Sequence, residues 1–368
     1  RVEGPWAPKW RRRGIFAAAM AGAGWGERVS PGNSDMKLLA KYGEFLRAAI
    51  PLHDVLLSLA VGSGAPPLPA RDPRNADPWV HVSRPRGLHG PRHAFLRPLS
   101  TARISPLDSA VQHGDAVCEC VRVYGQEDGG EDPAVFLLGR HLDRLFAGAR
   151  ALGYEIRGGG VHSREEIKEA LREVLWANRT VDGGGGDDAI VRIMLSRGEK
   201  HTPSVDISTN IYGTTLMILP EFIGPTSPAP PRCISLVTAW GRQPSPHCLD
   251  SKILHANFLS NVLSSLHATV AGSEDALLLD IDGFVACTAA ARNVFVVNGA
   301  GALATPTADH CVPGIVRQAI LDACGEAGRC GPAEVRRISA SEVHSASEVF
   351  VTGAGRHAIV PVGEVFVT

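Results

Sequence analysis

Three short motifs contain residues that could carry chemistry, and a lysine is the first of them. Lys252 is the only lysine in the last 168 residues, and it lies just before a segment with the pattern of a helix. A partly buried lysine amine can lose its proton near neutral pH and then form an imine with a carbonyl compound. A solvated lysine in front of a helix explains the same pattern, so Lys252 alone leaves both interpretations open.

The other two motifs could bind an anion. Pro313-Gly314 is a glycine turn that leads directly into a predicted helix over 315–325. Free backbone N–H groups and the helix dipole at such an N-terminus attract a phosphate. Arg144 could add a bidentate cation. A plain helix start and a surface arginine are the simpler explanations, so neither motif is decisive alone.

Composition and charge exclude several function classes. The 368 residues include 37 Lys and Arg against 38 Asp and Glu, so the chain lacks the basic field that binding to nucleic acid requires. The longest apolar runs, such as 276–279, are far shorter than the roughly 20 residues that cross a bilayer. The eight cysteines form no CxxC pair and no zinc spacing, which indicates reduced thiols and no metal site. We therefore expect a soluble protein without nucleic-acid or membrane partners.

The pattern along the chain predicts two domains after an extension. Residues 1–85 are expected to be an extension or linker, poorly ordered or containing part of an Arg-rich organelle transit peptide. The protein would then be plastid or mitochondrial, and otherwise cytoplasmic. A small N-terminal α/β domain follows at 86–222, and the Pro-rich stretch 223–233 is the linker to a larger domain at 234–368. Both ends of the sequence look incomplete, and the second domain is expected to be truncated.

Hydrophobic periodicity and capping signals predict the elements that must position the three motifs. Ser163 and Glu166 form a capping box at the start of one helix. Helices are predicted at 140–152, 163–178, 257–272 and 315–325. Strands are predicted at 104–108, 117–124, 134–138, 190–196, 212–220, 233–238, 276–280, 284–286, 294–297, 301–304, 348–352 and 358–362. Lys252 then lies between the linker and a helix, which gives an α+β architecture.

Together and in this order, the motifs resemble the fold-type IV pyridoxal-phosphate (PLP) enzymes. These are the class IV aminotransferases, which include the branched-chain and D-amino acid aminotransferases. The resemblance spans about 95–365 and is carried by 105–108, 114–117, 141–145, 197–200, 249–257, 276–280, 283–285, 305–306, 313–315 and 348–350. It implies an α+β fold of two domains, with a small α/β domain and a larger pseudo-barrel α/β domain.

The resemblance also implies a function and a set of site residues. The expected enzyme is a PLP-dependent transaminase that moves an amino group between a branched-chain-like amino acid and a 2-oxo acid. Lys252 stands where the family has its internal-aldimine lysine. The family's cofactor positions fall on Arg144, Phe258, Cys287, Gly314, Ile315, Val316 and Ala354, and its substrate positions on His113, Cys118 and Arg192. A homodimer, with the site near the partner subunit, is expected from the same resemblance.

Three positions depart from the family pattern. Cys287 stands where a Glu bonds the pyridine nitrogen, and Val316 and Ala354 stand where two Thr hydroxyls bind the phosphate. Each missing donor to a charged phosphate costs about 1.5–3 kcal/mol, but Arg144, the helix terminus and a covalent imine could still retain the cofactor. The loss of the Glu affects the reaction barrier instead, so cofactor binding is expected to survive better than turnover. Two alternatives therefore stay open. One is another class IV chemistry, D-amino acid transamination or aminodeoxychorismate lysis, and the other is a catalytically impaired paralogue.

Overall fold

The structure is a computed structural model, and it describes residues 72–84, 93–125, 134–155, 160–178, 188–210, 212–223, 231–326 and 333–366. All of them belong to one compact unit, Gly64–Thr368. Most of the predicted extension, including its possible transit peptide, and most of the predicted linker lie outside these residues. None of the described helices combines the length and apolar composition that a bilayer crossing needs.

The first of two sheets contains six strands, and each strand is antiparallel to its neighbours. The spatial order is β2-β1-β6-β5-β3-β4. The strands are β1 (Trp79–Arg84), β2 (His93–Pro98), β3 (Ala116–Tyr124), β4 (Ala134–Val135), β5 (Ala189–Ser196) and β6 (Thr215–Phe222). The helices of this domain are α1 (Ser109–His113), α2 (Leu138–Ala151) and α3 (Arg164–Ala177), and short 3-10 turns lie at Pro73–Ala76, Leu99–Thr101 and Ile207–Thr209.

The apolar faces of α2 and α3 bury one side of this sheet. Leu142 and Leu145 of α2 and Ile167 of α3 are almost completely buried and belong to the same cluster as Val121 and Ile193 of the sheet. The predicted capping box at the start of α3 is confirmed, because the Ser163 side chain accepts from the backbone N–H of Glu166 and the Glu166 side chain accepts in return. The sheet and its helices therefore form a core of their own.

The second sheet contains eight strands in the order β12-β11-β10-β13-β14-β7-β8-β9. They are β7 (Ile234–Arg242), β8 (Asp275–Leu279), β9 (Val285–Thr288), β10 (Asn293–Val297), β11 (Leu303–Thr305), β12 (Glu334–Val335), β13 (Glu348–Thr352) and β14 (Ile359–Phe366). The helices are α4 (Leu259–Ala271), α5 (Ile315–Glu326) and α6 (Ala340–Ser345). Two apolar clusters fill this domain.

The second sheet curls back on itself. β9 lies at one edge, whereas β10 lies near the opposite edge, yet only residues 289–292 connect them. So short a connection can join them only if the sheet bends round and brings the two strands close together. The second domain is therefore a half-barrel, and the predicted α+β class with a small α/β domain and a larger pseudo-barrel domain is confirmed.

The lysine motif lies in a crossover connection of the second sheet. β7 and β8 are parallel neighbours, so the chain must cross over between them, and α4 forms part of the crossover. Lys252 lies in the loop between the carboxyl end of β7 and α4. In α/β sheets the carboxyl ends of parallel strands are where ligands commonly bind.

Two predicted strands are wrong. Residues 104–108 are irregular, because the Asp108 side chain accepts from the backbone N–H of Ala110 (2.9 Å) and caps α1 instead of extending a strand. At 134–138 only Ala134–Val135 forms a strand. Leu137 then takes a left-handed conformation with φ 46°, and α2 begins at the next residue.

The sheet of the first domain begins before residue 86, where the sequence pattern placed the domain boundary. β1 lies within the predicted extension, yet it pairs with β6 through His81 and Ile218. Val80 and His81 are buried there. Pairing with a central strand explains why so short a segment is ordered against the sheet.

Candidate active site

The loop that carries Lys252 is tied to the first domain. The backbone N–H of Cys118 in β3 donates to the Leu254 carbonyl (2.8 Å), and the N–H of Ala256 donates to the Ala116 carbonyl (2.9 Å). Val117 and His255 form a bridge between these two bonds. The loop therefore continues the β3 ladder and joins the two domains beside the lysine.

Lys252 lies at the rim of a cleft. The residues on either side of it, Ser251 and Ile253, both line the cleft. The Lys252 side chain itself is 46% exposed, and its Nζ lies 3.2 Å from Oδ1 of Asp250. The Asp250 side chain also accepts from the Lys252 backbone N–H (3.0 Å). The amine must leave Asp250 before it can react with a group inside the cleft.

The cleft has apolar walls and neutral polar groups. It encloses about 400 Å³ with its open mouth included. The apolar lining is formed by Pro244, Leu249, Ile253, Phe258, Ala291 and Val312, and the polar lining by Gln243, Ser251, His255, Asn257, Ser260, Asn261 and the Cys287 thiol. No lining residue within the described ranges is a carboxylate, a lysine or an arginine. Such a lining suits a flat aromatic ligand that carries hydrogen-bonding substituents.

Cys287 is a neutral thiol at the inner wall of the cleft. It is 3% exposed, and its Sγ accepts a hydrogen bond from Nε2 of Gln243 (3.0 Å). Burial, with a smaller contribution from Cys311, raises the pKa of the Cys287 thiol far above its ordinary value. The wall therefore carries no negative charge where the family has a carboxylate.

The glycine turn before α5 is tightly held. Nη1 of Arg144 donates to the Pro313 carbonyl (2.7 Å), and Nδ2 of Asn293 donates to the Val312 carbonyl (2.9 Å). A Cβ on Gly314 would lie 2.0 Å from Oδ1 of Asn293, so this position has room only for glycine. The turn thus places Ile315 and Val316, the first residues of α5, next to a cleft-lining residue, Val312.

Arg144 holds the turn from a buried ion cluster. Its Nε and Nη2 donate to the two carboxylate oxygens of Glu119 (both 2.7 Å), and Nδ1 of His141 donates to Oε2 (2.7 Å). The Glu119 side chain is completely buried. With the bond to Pro313, described residues engage three of the five N–H groups of Arg144, and the other two have no acceptor within the described ranges.

The second phosphate loop of the family pattern lies next to the start of β10, as the glycine turn does. The Arg292 side chain packs against Gly353, whose added Cβ would lie 3.2 Å from its Cγ. The backbone N–H of Gly353 donates to the Ala358 carbonyl (3.0 Å) and closes a turn that contains Ala354. Since Arg292 and Asn293 are consecutive, the Ala354 turn and the Gly314 turn are brought close together. Ala354 and Val316 supply no hydroxyl there.

The three predicted substrate residues are not brought into the cleft. Cys118 lies at the domain junction with its Sγ 4.0 Å from the His255 carbonyl, and burial raises the pKa of its thiol to about 12. His113 is exposed at the end of α1. Arg192 is exposed on β5, opposite Cys120. Their role in binding substrate stays a prediction.

Three buried polar residues of the cleft were missed by the sequence analysis. Gln243 bonds the Cys287 thiol, and Nδ2 of Asn261 donates to the Ala289 carbonyl (3.1 Å). His255 lies three residues after Lys252, and its Nε2 is buried without a hydrogen-bond partner among the described residues. Only His255 had a signal in the sequence, since its position next to the lysine motif marks it as a candidate.

The structure has two domains joined at a loop that carries a lysine, and this loop lines one cleft with Val312 of the glycine turn, as the resemblance to fold-type IV enzymes implies. A family model described as amino-transferase class IV matches residues 116–365, and the chain belongs to this family. The family predicted from the sequence is therefore confirmed.

Curated relatives and solved structures agree with this assignment. Branched-chain-amino-acid aminotransferase-like proteins 1 and 2 of Arabidopsis thaliana are 34% and 35% identical over 359 residues. Each match covers 95% of this chain, but this chain spans only 57% of the length of either relative. The crystal structure of the Escherichia coli branched-chain aminotransferase superposes with a TM-score of 0.63 at 24% identity, over 78% of this chain and 86% of that one, which establishes the shared fold.

The packing at the glycine turn gives a first prediction. Gly314→Ala forces its Cβ against Asn293, whose side chain cannot move without losing its bond to the Val312 carbonyl. We expect the free energy of unfolding to fall by about 1–3 kcal/mol, measured by chemical denaturation. Gly139→Ala in α2 is the matched control, because a Cβ added at Gly139 meets no atom within 4 Å. Equal stability of the two variants would contradict this packing.

Proposed function

We propose that the protein is a PLP-dependent transaminase that moves an amino group between a branched-chain-like amino acid and a 2-oxo acid. The observation that carries the proposal is the convergence of the Lys252 loop and the Cys287 wall on one cleft beside the glycine turn, in a chain of the class IV family. The names of the relatives support the substrate class. The fold also matches a branched-chain aminotransferase of Thermobaculum terrenum whose structure is the PLP form.

The residues of the cleft fit PLP. When bound, PLP supplies an aldehyde that condenses with amines and a pyridine ring that withdraws electrons from the substrate. Phe258, Ile253 and Val312 offer apolar surface for the ring. The two N–H groups of Arg144 that no described residue engages, and the N-terminus of α5, can receive the phosphate. Nε2 of His255, a cleft-lining residue, has no partner among the described residues and is available as a donor to the ligand.

Lys252 is the proposed nucleophile and proton carrier. Its neighbours face the cleft, so a rotation of its side chain away from Asp250 would bring the amine to the cofactor. The same amine can then move a proton at the substrate Cα. Asp250 holds the resting position of the side chain and competes with the cleft for it.

The substrate side of the site belongs to the same proposal. His113, Cys118 and Arg192 keep the role that the family resemblance implies, and a homodimer would complete the site with a second copy. The exposed apolar side chains of α4 support an interface, since Leu259, Val262 and Leu263 are 69%, 59% and 43% exposed and follow helical spacing.

A catalytically impaired paralogue is the second candidate function. The neutral Cys287 thiol favours it, because a thiol cannot keep the pyridine nitrogen protonated as a carboxylate does. Lys252 is retained, so such a protein would still bind PLP covalently. D-amino acid transamination and aminodeoxychorismate lysis stay open as other class IV reactions. They are distinguished by the substrate that reacts, a D-amino acid in the first and aminodeoxychorismate in the second.

Covalent attachment of PLP tests the proposal. We expect the protein incubated with PLP, reduced with borohydride and digested to carry one phosphopyridoxyl group on the peptide that contains Lys252. Lys252→Ala should abolish the adduct, whereas Lys168→Ala, a change at an exposed lysine of α3, should leave it intact. Mass spectrometry measures both. A folded protein that carries no adduct, or carries it on another lysine, would refute the proposed nucleophile.

Turnover distinguishes the two candidate functions. After mixing the PLP-loaded protein with L-leucine or L-glutamate, we expect a slow conversion of bound PLP to pyridoxamine phosphate, followed by absorbance. Cys287→Glu should accelerate this conversion by about tenfold or more, because a barrier reduction of about 1.4 kcal/mol is tenfold in rate. Cys287→Ser is the control and should not accelerate it. If no L- or D-amino acid converts PLP bound to the unmodified protein, the impaired paralogue is favoured, and conversion by Cys287→Glu alone would assign the impairment to Cys287.

The expected homodimer is tested through α4. We expect a dimer by analytical ultracentrifugation at micromolar concentration. Val262→Asp, which places a charge among the exposed apolar side chains of α4, should shift the protein to a monomer with an unchanged circular dichroism spectrum. Lys168→Ala serves as a surface control. A monomeric unmodified protein contradicts the homodimer, and a dimeric Val262→Asp variant contradicts α4 as its interface.

A further inference from the structure

His255 lines the cleft and carries a buried hydrogen-bond donor that has no acceptor among the described residues. The residue is 9% exposed, and its Nδ1 accepts a hydrogen bond from the backbone N–H of Asn257 (3.2 Å). A ring nitrogen that accepts from an N–H carries no proton itself, so the neutral imidazole has its proton on Nε2. Burial lowers the pKa of His255, which favours this neutral form. The bond from Asn257 thereby determines the tautomer.

The Nε2–H of His255 has no acceptor among the residues that the structure describes. This atom is buried and has no hydrogen-bond partner among the described residues, and the residue lines the cleft. Buried N–H groups almost always have a partner, and one left without an acceptor destabilises the fold. A group that the fold keeps unpaired at a ligand cleft is therefore suited to an acceptor that arrives with the ligand.

The position of His255 selects among the acceptors that PLP offers. The phosphate belongs with Arg144 and the glycine turn, and the pyridine nitrogen belongs with Cys287 on the family pattern. Once the aldehyde has condensed with the lysine amine and lost its oxygen as water, the phenolic oxygen remains, and it is bonded to the ring carbon next to the one that carried the aldehyde. A group that bonds this oxygen must lie near the lysine that reacts with the aldehyde. His255 follows Lys252 by three residues, and its ring lies 6.0 Å from the ring of Phe258.

We propose that Nε2–H of His255 donates a hydrogen bond to the phenolic oxygen of PLP bound in the cleft. The inference rests on the proposed function, since it requires PLP in this cleft. His255 then supplies the hydrogen-bond donor that Phe258 cannot supply, because Phe258 has no hydroxyl. The bond from the Asn257 N–H then has a role as well, because it keeps the imidazole proton on Nε2.

His267 provides a matched control within the same domain. Its Nδ1 accepts from the backbone N–H of Trp240 (3.4 Å), and its Nε2 is likewise buried without a partner among the described residues. Its ring stacks on Trp240 with centroids 3.6 Å apart, and it does not line the cleft. His267→Leu therefore reproduces the loss of a buried imidazole without touching the cofactor.

Comparison of PLP with 3-deoxypyridoxal phosphate, which lacks the phenolic oxygen, tests the inference. Both probes are titrated into the full chain by absorbance, and the ratio of their dissociation constants is measured. We expect the unmodified protein to prefer PLP by about 10- to 100-fold, the range for a hydrogen bond to a charged acceptor. His255→Leu should reduce this preference to nearly one, and His255→Gln, whose amide keeps a donor, should restore part of it. His267→Leu should leave it unchanged.

The outcomes separate this inference from the proposed function. If His255→Leu keeps the full preference for PLP while the Lys252 adduct still forms, the inference is overturned and the proposed function stands. If His267→Leu loses the preference as well, the effect of His255 is a general loss of packing, and the inference is again overturned. If the folded, unmodified protein binds neither probe and forms no adduct, both proposals fall.

Discussion

The carboxylate of Glu119 is the charge on which the geometry of the site depends. It is completely buried, so it must be compensated by Arg144 and His141, which donate three hydrogen bonds to it. Leaving such a charge unpaired costs about 3–5 kcal/mol. Arg144 cannot move away from Glu119 without this cost, and the same guanidinium holds the Pro313 carbonyl. One ion cluster therefore fixes the start of α5 in the second domain relative to β3 in the first.

The loop that follows Lys252 makes the second connection between the domains. Its bonds to β3 place His255 and Lys252 beside the strand that carries Glu119. β3 thus holds two sides of the cleft. The buried charge of Glu119 holds Arg144 and the glycine turn, and backbone hydrogen bonds hold the Lys252 loop. Lys252 itself stays outside this rigid frame, because its partner Asp250 lies on the same loop. The backbone of the loop is held by β3, whereas the Lys252 amine can exchange Asp250 for another partner.

The fold was more predictable from the sequence than the site. The helix that begins after Ser163 has a capping box and a regular apolar face, so local signals placed it within one residue of Arg164–Ala177. β1 was missed, because its stability comes from pairing with β6, about 135 residues away, which no local pattern records. The place of Arg192 outside the cleft lining also depends on tertiary contacts, because it is set by the pairing of β5 with β3. Motif spacing identified the loop and the turn but not which side chains enter the cleft.

The chemistry of the cleft follows from the absence of charge on its described lining. Cys287 and His255 are both neutral for the same reason, since burial disfavours the thiolate and the imidazolium alike. A site of this kind binds a ligand through hydrogen bonds and apolar surface, and it draws its charges from the periphery, from Lys252 at the rim and Arg144 behind the turn. On the proposed function, Lys252 takes part in both binding and catalysis, and the other groups divide between the two. On the proposed function, the peripheral cations and the His255 donor hold the cofactor, whereas the protonation of its ring nitrogen depends on the wall position that Cys287 occupies.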